Sequence, residues 1–218
     1  MSLSPQVLLS KVAKDKCISC LKDMPAFART DVRPQIKAAV LVPLFVKNGE
    51  LHLLFTLRSS NLKRHSGQVS FPGGKLEEHE TVVDAALRET EEEIGVPTKS
   101  VDVWCEMSPV QGRDENIIIT PVVGVIKDFN LDNLNVNIYE VEEVFSVSMA
   151  DFCDRTKHAH LKYEGFLTPV FVHEKHNIWG VTGIITHLFL QCFLPSDLYK
   201  VDFTRKRLTL EQLMPSKL

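Results

Sequence analysis

Seven glutamates, Glu77, Glu78, Glu80, Glu89, Glu91, Glu92 and Glu93, stand within 17 residues of one another. Such a run does chemistry only if a fold turns several carboxylates to one point, and the spacing of the later ones allows this. At about 100° and 1.5 Å per residue, Glu89, Glu92 and Glu93 share a helical sector roughly 100° wide and lie within about 6 Å of axial rise. Three like charges there repel, and they crowd the C-terminal half of the segment, where the helix dipole disfavours anions. A solvated acidic face is the bland reading. The chemical reading is a hard cation: Mg²⁺ or Mn²⁺ takes a few carboxylates, keeps several waters and leaves positions for substrate phosphates. Upstream, Arg58, Lys63, Arg64 and His65 form a basic cluster before the turn Phe71-Pro72-Gly73-Gly74. An anionic substrate carried between a cation-binding helix and a basic loop fits that order of residues.

The elements that must hold these groups follow from pattern. Val83, Leu87, Thr90 and Ile94 fall on one stripe of a helix running from about Thr81, and Gly95 and Pro97 stop it. Before it, the apolar runs Ala39 to Val46 and Leu51 to Leu57 flank Asn48-Gly49, which predicts a β-hairpin with a type I′ turn. Strands are expected at Val101 to Cys105, Ile117 to Val125, Val144 to Val147 and Pro169 to Val172, with a mobile stretch near Lys157 to Gly165 and a helix over Thr182 to Phe193. Residues 1–36, interrupted by Pro25 and Pro34, predict a short helix and an extended connection, a leader rather than a domain. The expected organisation is this leader, one α/β domain over 37–195 and a tail over 196–218.

Composition narrows the class. With 218 residues, 44% hydrophobic and 24% charged, the chain has the length for one good core. Lys plus Arg at 25 against Asp plus Glu at 28 gives a net charge of −3, so no basic excess points to nucleic acid or an anionic membrane. No stretch approaches the roughly 18 apolar residues of a membrane span, and no signal-peptide core opens the chain. The leader's basic residues could suggest a mitochondrial transit peptide, but Asp15, Asp23 and Asp31 argue against it. Five cysteines, an odd number, predict reduced thiols, and Cys17 and Cys20 lack the second pair a structural zinc would need.

Gly74, five residues, Glu80, seven residues, then Arg88-Glu89-Thr90-Glu91-Glu92-Glu93-Ile94-Gly95-Val96 resembles the Nudix box, G-x5-E-x7-R-E-U-x-E-E-x-G-U, with U an aliphatic residue. Thr90 alone departs, at a position facing the core. Upstream, Leu54-Phe55-Thr56-Leu57-Arg58-Ser59, then Lys63, Gly67 and Phe71-Pro72-Gly73-Gly74, resembles the signature preceding the box in coenzyme A diphosphatases; Phe55 replaces a leucine and Lys63 an arginine. Glu140-Val141 with Val144-Phe145, and His176 to Thr182, resemble later family segments. The resemblance implies the Nudix α/β/α sandwich, with a mixed sheet and a loop-helix-loop catalytic motif. It implies metal-dependent cleavage of the pyrophosphate of coenzyme A, and of CoA esters, to 3′,5′-ADP and 4′-phosphopantetheine or its acyl derivative. The alternative substrate is ADP-ribose or a nicotinamide dinucleotide; a Nudix-fold binding module and a purely structural domain are the other readings.

Roles follow from the resemblance. Glu89 and Glu93 are the expected ligands of Mg²⁺ or Mn²⁺, Glu92 a third ligand or the water-activating base with Glu89 as the other candidate catalytic carboxylate, and Glu140 and the Gly73 carbonyl further metal contacts. Arg58, Ser59, Lys63, Arg64 and Gly67 are the expected substrate contacts, with Arg88 orienting the glutamates. The chain closes on Ser216-Lys217-Leu218, the peroxisomal address read by an import receptor, so peroxisomal location is expected.

Overall fold

The computed structural model describes residues 2–28, 36–60, 66–112, 114, 116–163 and 165–214. Two helices open it, α1 (Pro5–Leu8) and α2 (Lys11–Asp23), the second capped by the Ser10 side chain. The hairpin follows as β1 (Ile36–Lys47) and β2 (Glu50–Arg58). Its turn places Asn48 at φ 52° and Gly49 at φ 79°, the backbone a type I′ turn needs, and Lys47 pairs with Glu50 across it.

β3 (Val69–Ser70) and β4 (Gly73–Lys75) lead into α3 (Val82–Ile94); then come β5 (Val101–Glu106), β6 (Val110–Gln111), β7 (Ile117–Ile126) and β8 (Val141–Ser148). These strands make one mixed sheet in which β1 runs parallel to β7 and antiparallel to β2 and β4. Pro43 sits inside β1, where a ladder donor is missing. It falls where one edge of β1 changes partner, from β4 over Ala38 to Val40 to β2 over Leu44 to Lys47. The edge splits there, and the Gly73-Gly74 backbone enters the gap.

Alternation along β1 and β7 assigns the two faces. Ala39, Leu41 and Val122 pack with Ala85 and Ala86 of α3. Val42, Leu44, Leu53, Phe55 and Val123 pack on the opposite side with Ile185, Phe189 and Leu190 of α5 (Gly180–Phe193) and with Leu8 and Leu21 of the N-terminal helices. The result is an α/β/α sandwich. Among the described residues no helix is long and apolar enough to cross a membrane.

Two expectations are corrected. The stretch near Lys157 to Gly165, expected to be mobile, holds β9 (His158–Tyr163), which follows α4 (Met149–Cys153) and pairs with β10 (Phe166–Phe171) and with β11 (Arg207–Leu208) just before α6 (Leu210–Leu213). A histidine within the core disguises the strand: His158 is fully buried, its Nδ1 accepts from Asp202 N–H, and its Nε2–H therefore donates to Phe152 O at 2.8 Å. The thiols differ too. Cys20 of α2 and Cys192 of α5 form a disulfide with Cα atoms 5.5 Å apart across 172 residues of sequence, while Cys17, Cys105 and Cys153 are free. Packing α2 on α5 creates this pair, and cysteine spacing alone carries no trace of it.

Candidate active site

α3 starts at Thr81, whose hydroxyl accepts from Asp84 N–H, and stops at Gly95, in the left-handed region at φ 73°. These caps fix which way its glutamates face. Glu93 points inward, with 3% of its side chain exposed. Gly73 N–H donates to Glu93 Oε2 at 3.2 Å, and Arg58 Nη1 stands 3.7 Å from Glu93 Oε1. Burial pushes the Glu93 carboxyl up to about 7, against the pull of Arg58 and of the Gly73 hydrogen bond. Burial also raises Glu89 above the ordinary carboxylate range, opposed by Arg88. Gly74 is glycine for close approach: a Cβ there would run into the Glu89 carboxylate.

Arg88 organises the acidic run. Its Nε and Nη2 donate to the two oxygens of Glu80 at 2.8 and 3.0 Å, its Nη2 also reaches Lys75 O at 3.2 Å, and its Nη1 donates to Glu92 Oε2 at 3.1 Å and lies 3.2 Å from Glu89 Oε1. A planar fork satisfies this set where an ammonium would not. These bonds hold Glu80 below the ordinary carboxylate range. The Thr90 substitution is absorbed in packing: the side chain is fully buried and its hydroxyl donates to Ala86 O at 2.6 Å.

The third carboxylate comes from another element. β8 pairs with β2 with a register shift between Leu57 and Arg58 that sets Arg58 opposite Val141, so Glu140 arrives beside Arg58. Glu89, Glu93 and Glu140 each offer a carboxylate oxygen, and these oxygens lie within 4.8 Å of one another. An all-oxygen donor set containing two desolvated carboxylates fits a hard divalent cation. Glu92 lies outside that trio, its side chain 58% exposed and held by Arg88. Ser59 is buried and its N–H donates to Glu140 O at 2.9 Å, and Gly67 N–H donates to Arg58 O at 3.0 Å. Lys63 and Arg64 lie outside the described residues, as does the Ser216-Lys217-Leu218 tripeptide.

Beside Arg58, Gly73 and Gly74 opens a cavity of about 430 Å³. Its floor is the sheet face carrying Ile36, Ala38 and Val40 of β1 with Ile117 and Ile119 of β7; its roof is Leu161, Trp179, Val181 and Leu210. Thr182 Oγ1 donates to Val69 O at 3.0 Å and ties the start of α5 to β3 at the cavity's side. The sequence reading had no signal for this cavity. Its walls come from segments far apart in the chain, from Ile36 to Leu210, and Trp179 faces it. His173 stacks on Phe145 and His176 lies tilted against the same ring, with His176 Nε2 3.0 Å from Glu143 Oε2.

The NUDIX domain family profile matches residues 35–165. The chain is similar to the mitochondrial coenzyme A diphosphatase NUDT8 of Mus musculus, 41% identical over 175 residues that span 77% of this chain and 82% of that protein. It is also similar to the peroxisomal coenzyme A diphosphatase NUDT7 of Mus musculus, 44% identical over 117 residues, 53% of this chain and 48% of that protein. Among solved structures, a MutT/nudix family protein from Enterococcus faecalis shares the fold with a TM-score of 0.50 at 16% identity, over 84% of this chain and 69% of that one.

Proposed function

The chain belongs to the NUDIX domain family, and on that premise we propose that it hydrolyses the pyrophosphate bond of coenzyme A and of CoA esters, releasing 3′,5′-ADP and 4′-phosphopantetheine or its acyl derivative. The observation that carries the reading is the meeting of three carboxylates, Glu89, Glu93 and Glu140, with an apolar cavity at their side. A diphosphate belongs at the first and a long arm bearing few charges at the second. ADP-ribose and nicotinamide dinucleotides, the alternative substrates, carry no such arm. The coenzyme A diphosphatase activity named for the two mouse relatives supports the same choice.

Glu89, Glu93 and Glu140 would hold a divalent cation, Mg²⁺ or Mn²⁺. When bound, it supplies charge neutralisation on the phosphate oxygens, orientation of the attacking water and a lowered water pKa. The remaining work belongs to the chain. Arg88 keeps Glu89 and Glu92 at fixed positions on one helix face. Glu92, outside the trio and open to solvent, takes the proton from the attacking water, with Arg88 on its Oε2 leaving Oε1 for that transfer. Arg58, whose guanidinium stands beside the Glu93 carboxylate and lines the cavity, receives the 3′-phosphate, with Lys63 and Arg64 of the same basic cluster as further substrate contacts.

Mixing purified protein and a divalent cation with CoA, acyl-CoA, ADP-ribose and dinucleotides, with products identified by mass, tests this. Cleavage of dinucleotides with CoA left intact would refute it. In the same proposal Ser216-Lys217-Leu218 directs the chain to the peroxisome through its import receptor; the two mouse relatives carry different organelles in their names. A reporter bearing the last residues that stays diffuse in the cytosol would refute the address.

A further inference from the structure

Glu140 stands 47 positions beyond Glu93, in a turn with no helix of its own to aim it. The turn is pinned instead to the end of α3. Asn137 N–H donates to the main-chain carbonyl of Glu93 at 2.9 Å, so the residue whose carboxylate lies at the heart of the trio also anchors the turn. Asn137 then folds the next residues over itself: its carbonyl accepts from Glu140 N–H at 3.0 Å and Val141 N–H at 2.9 Å, and its side-chain Oδ1 accepts from Tyr139 N–H at 3.2 Å. Ser59 N–H donates to Glu140 O at 2.9 Å, and Arg58 lies 3.7 Å from the Glu93 carboxylate, which closes a ring of contacts back to its start. Gly95 lets the turn come this near, because a Cβ there would meet Asn135 Cβ at 2.8 Å and Asn135 N at 2.9 Å.

We propose that Asn137 is a positioning residue for the metal site: its side-chain amide holds the turn in the one shape that delivers the Glu140 carboxylate to Glu89 and Glu93. The inference rests on the reading of that trio as a divalent-cation site. Three of the four hydrogen bonds at Asn137 are main-chain bonds that any residue there would keep. The fourth, to Tyr139 N–H, is the side chain's own contribution, and it bridges the two residues that separate Asn137 from Glu140.

Mn²⁺ binding to the full-length chain, followed by electron paramagnetic resonance with no substrate present, tests this apart from turnover. Asn137→Ala is expected to weaken Mn²⁺ binding about tenfold, the usual size of an effect exerted through a ligand's support. Asn137→Asp, which keeps an acceptor for Tyr139 N–H, should restore most of the affinity. In a Glu140→Gln background Asn137→Ala should cost nothing more, because its route to the metal is gone. Should Asn137→Ala fold poorly, Gly95→Ala pushes the turn from the helix side and should show the same dependence on Glu140. Wild-type affinity in Asn137→Ala, or an equal loss with and without Glu140, overturns the proposal while leaving the metal site standing. Failure of the wild-type chain to bind Mn²⁺ overturns both.

Discussion

Replacing Glu93 by glutamine should make the metal-free protein more stable at alkaline pH while destroying the site. The Glu93 carboxyl is raised from 4.5 to about 7 because burial strips its water more than Arg58 and Gly73 N–H restore. A carboxyl whose folded pKa lies above its unfolded one stabilises the fold fully below the unfolded value. That contribution is lost as pH rises from about 4.5 through about 7. At about 1.36 kcal/mol per unit, the buried anion costs about 3 kcal/mol above that window. Glutamine removes the charge and keeps an acceptor for Gly73 N–H, but its own N–H₂ is left short of a partner beside Arg58, which takes back about 1 kcal/mol. The net gain of about 2 kcal/mol corresponds to a melting temperature roughly 4–8 °C higher for a chain of this size. The assay is thermal melting of both proteins in chelator across pH. The Glu93→Gln advantage should be full near pH 8 and absent below about pH 5, where the wild-type carboxyl is protonated too. Added Mn²⁺ should reverse the order, since binding at about 100 times the dissociation constant stabilises the wild type by about 2.7 kcal/mol and the variant by little. A variant that melts below the wild type at pH 8 in chelator, or a difference that ignores pH, would refute the reasoning.

Other changes follow from the same geometry. Arg88→Lys keeps the charge but loses the fork on Glu80; it should lower the melting temperature by roughly 2–4 °C, about 1 kcal/mol, and raise the Mn²⁺ concentration needed for half-maximal turnover. Arg58→Ala removes the guanidinium that stands 3.7 Å from Glu93 Oε1, and KM for CoA should rise more than for a substrate lacking the 3′-phosphate. Equal KM effects would exclude the phosphate contact. Cys20→Ser opens a loop that chain entropy values at about 5 kcal/mol, so its melting temperature should fall to that of the reduced wild type, measured by calorimetry with and without reductant.

What the sequence disclosed and withheld divides along range. The Asn48-Gly49 turn, the helix start near Thr81 and the Gly95 stop are decided by a few adjacent residues, and each appears in the structure where pattern placed it. Glu89 and Glu93 were legible for the same reason, since helical periodicity puts them on one face. Glu140 needed resemblance, because its approach to Glu93 depends on β8 pairing with β2. The strand at His158 to Tyr163 was hidden by a buried histidine whose partners, Phe152 O and Asp202 N–H, come from elsewhere in the chain. The cavity and the disulfide were illegible altogether, because both depend on α5 packing against segments remote in sequence, the sheet and α2.

The bond between Cys20 and Cys192 turns residues 20–192 into a closed covalent ring, with residues 1–19 and 193–218 outside it. A force applied to the C-terminus, as by a motor that threads chains, would draw out α6 and then β11, which holds to β9 by two paired residues, before tension reached the ring. Leu210 would leave the cavity roof first. Glu89, Glu93 and Glu140 would stay inside the ring. Pulled from that end, the molecule would lose the roof of its cavity before its three clustered carboxylates came apart.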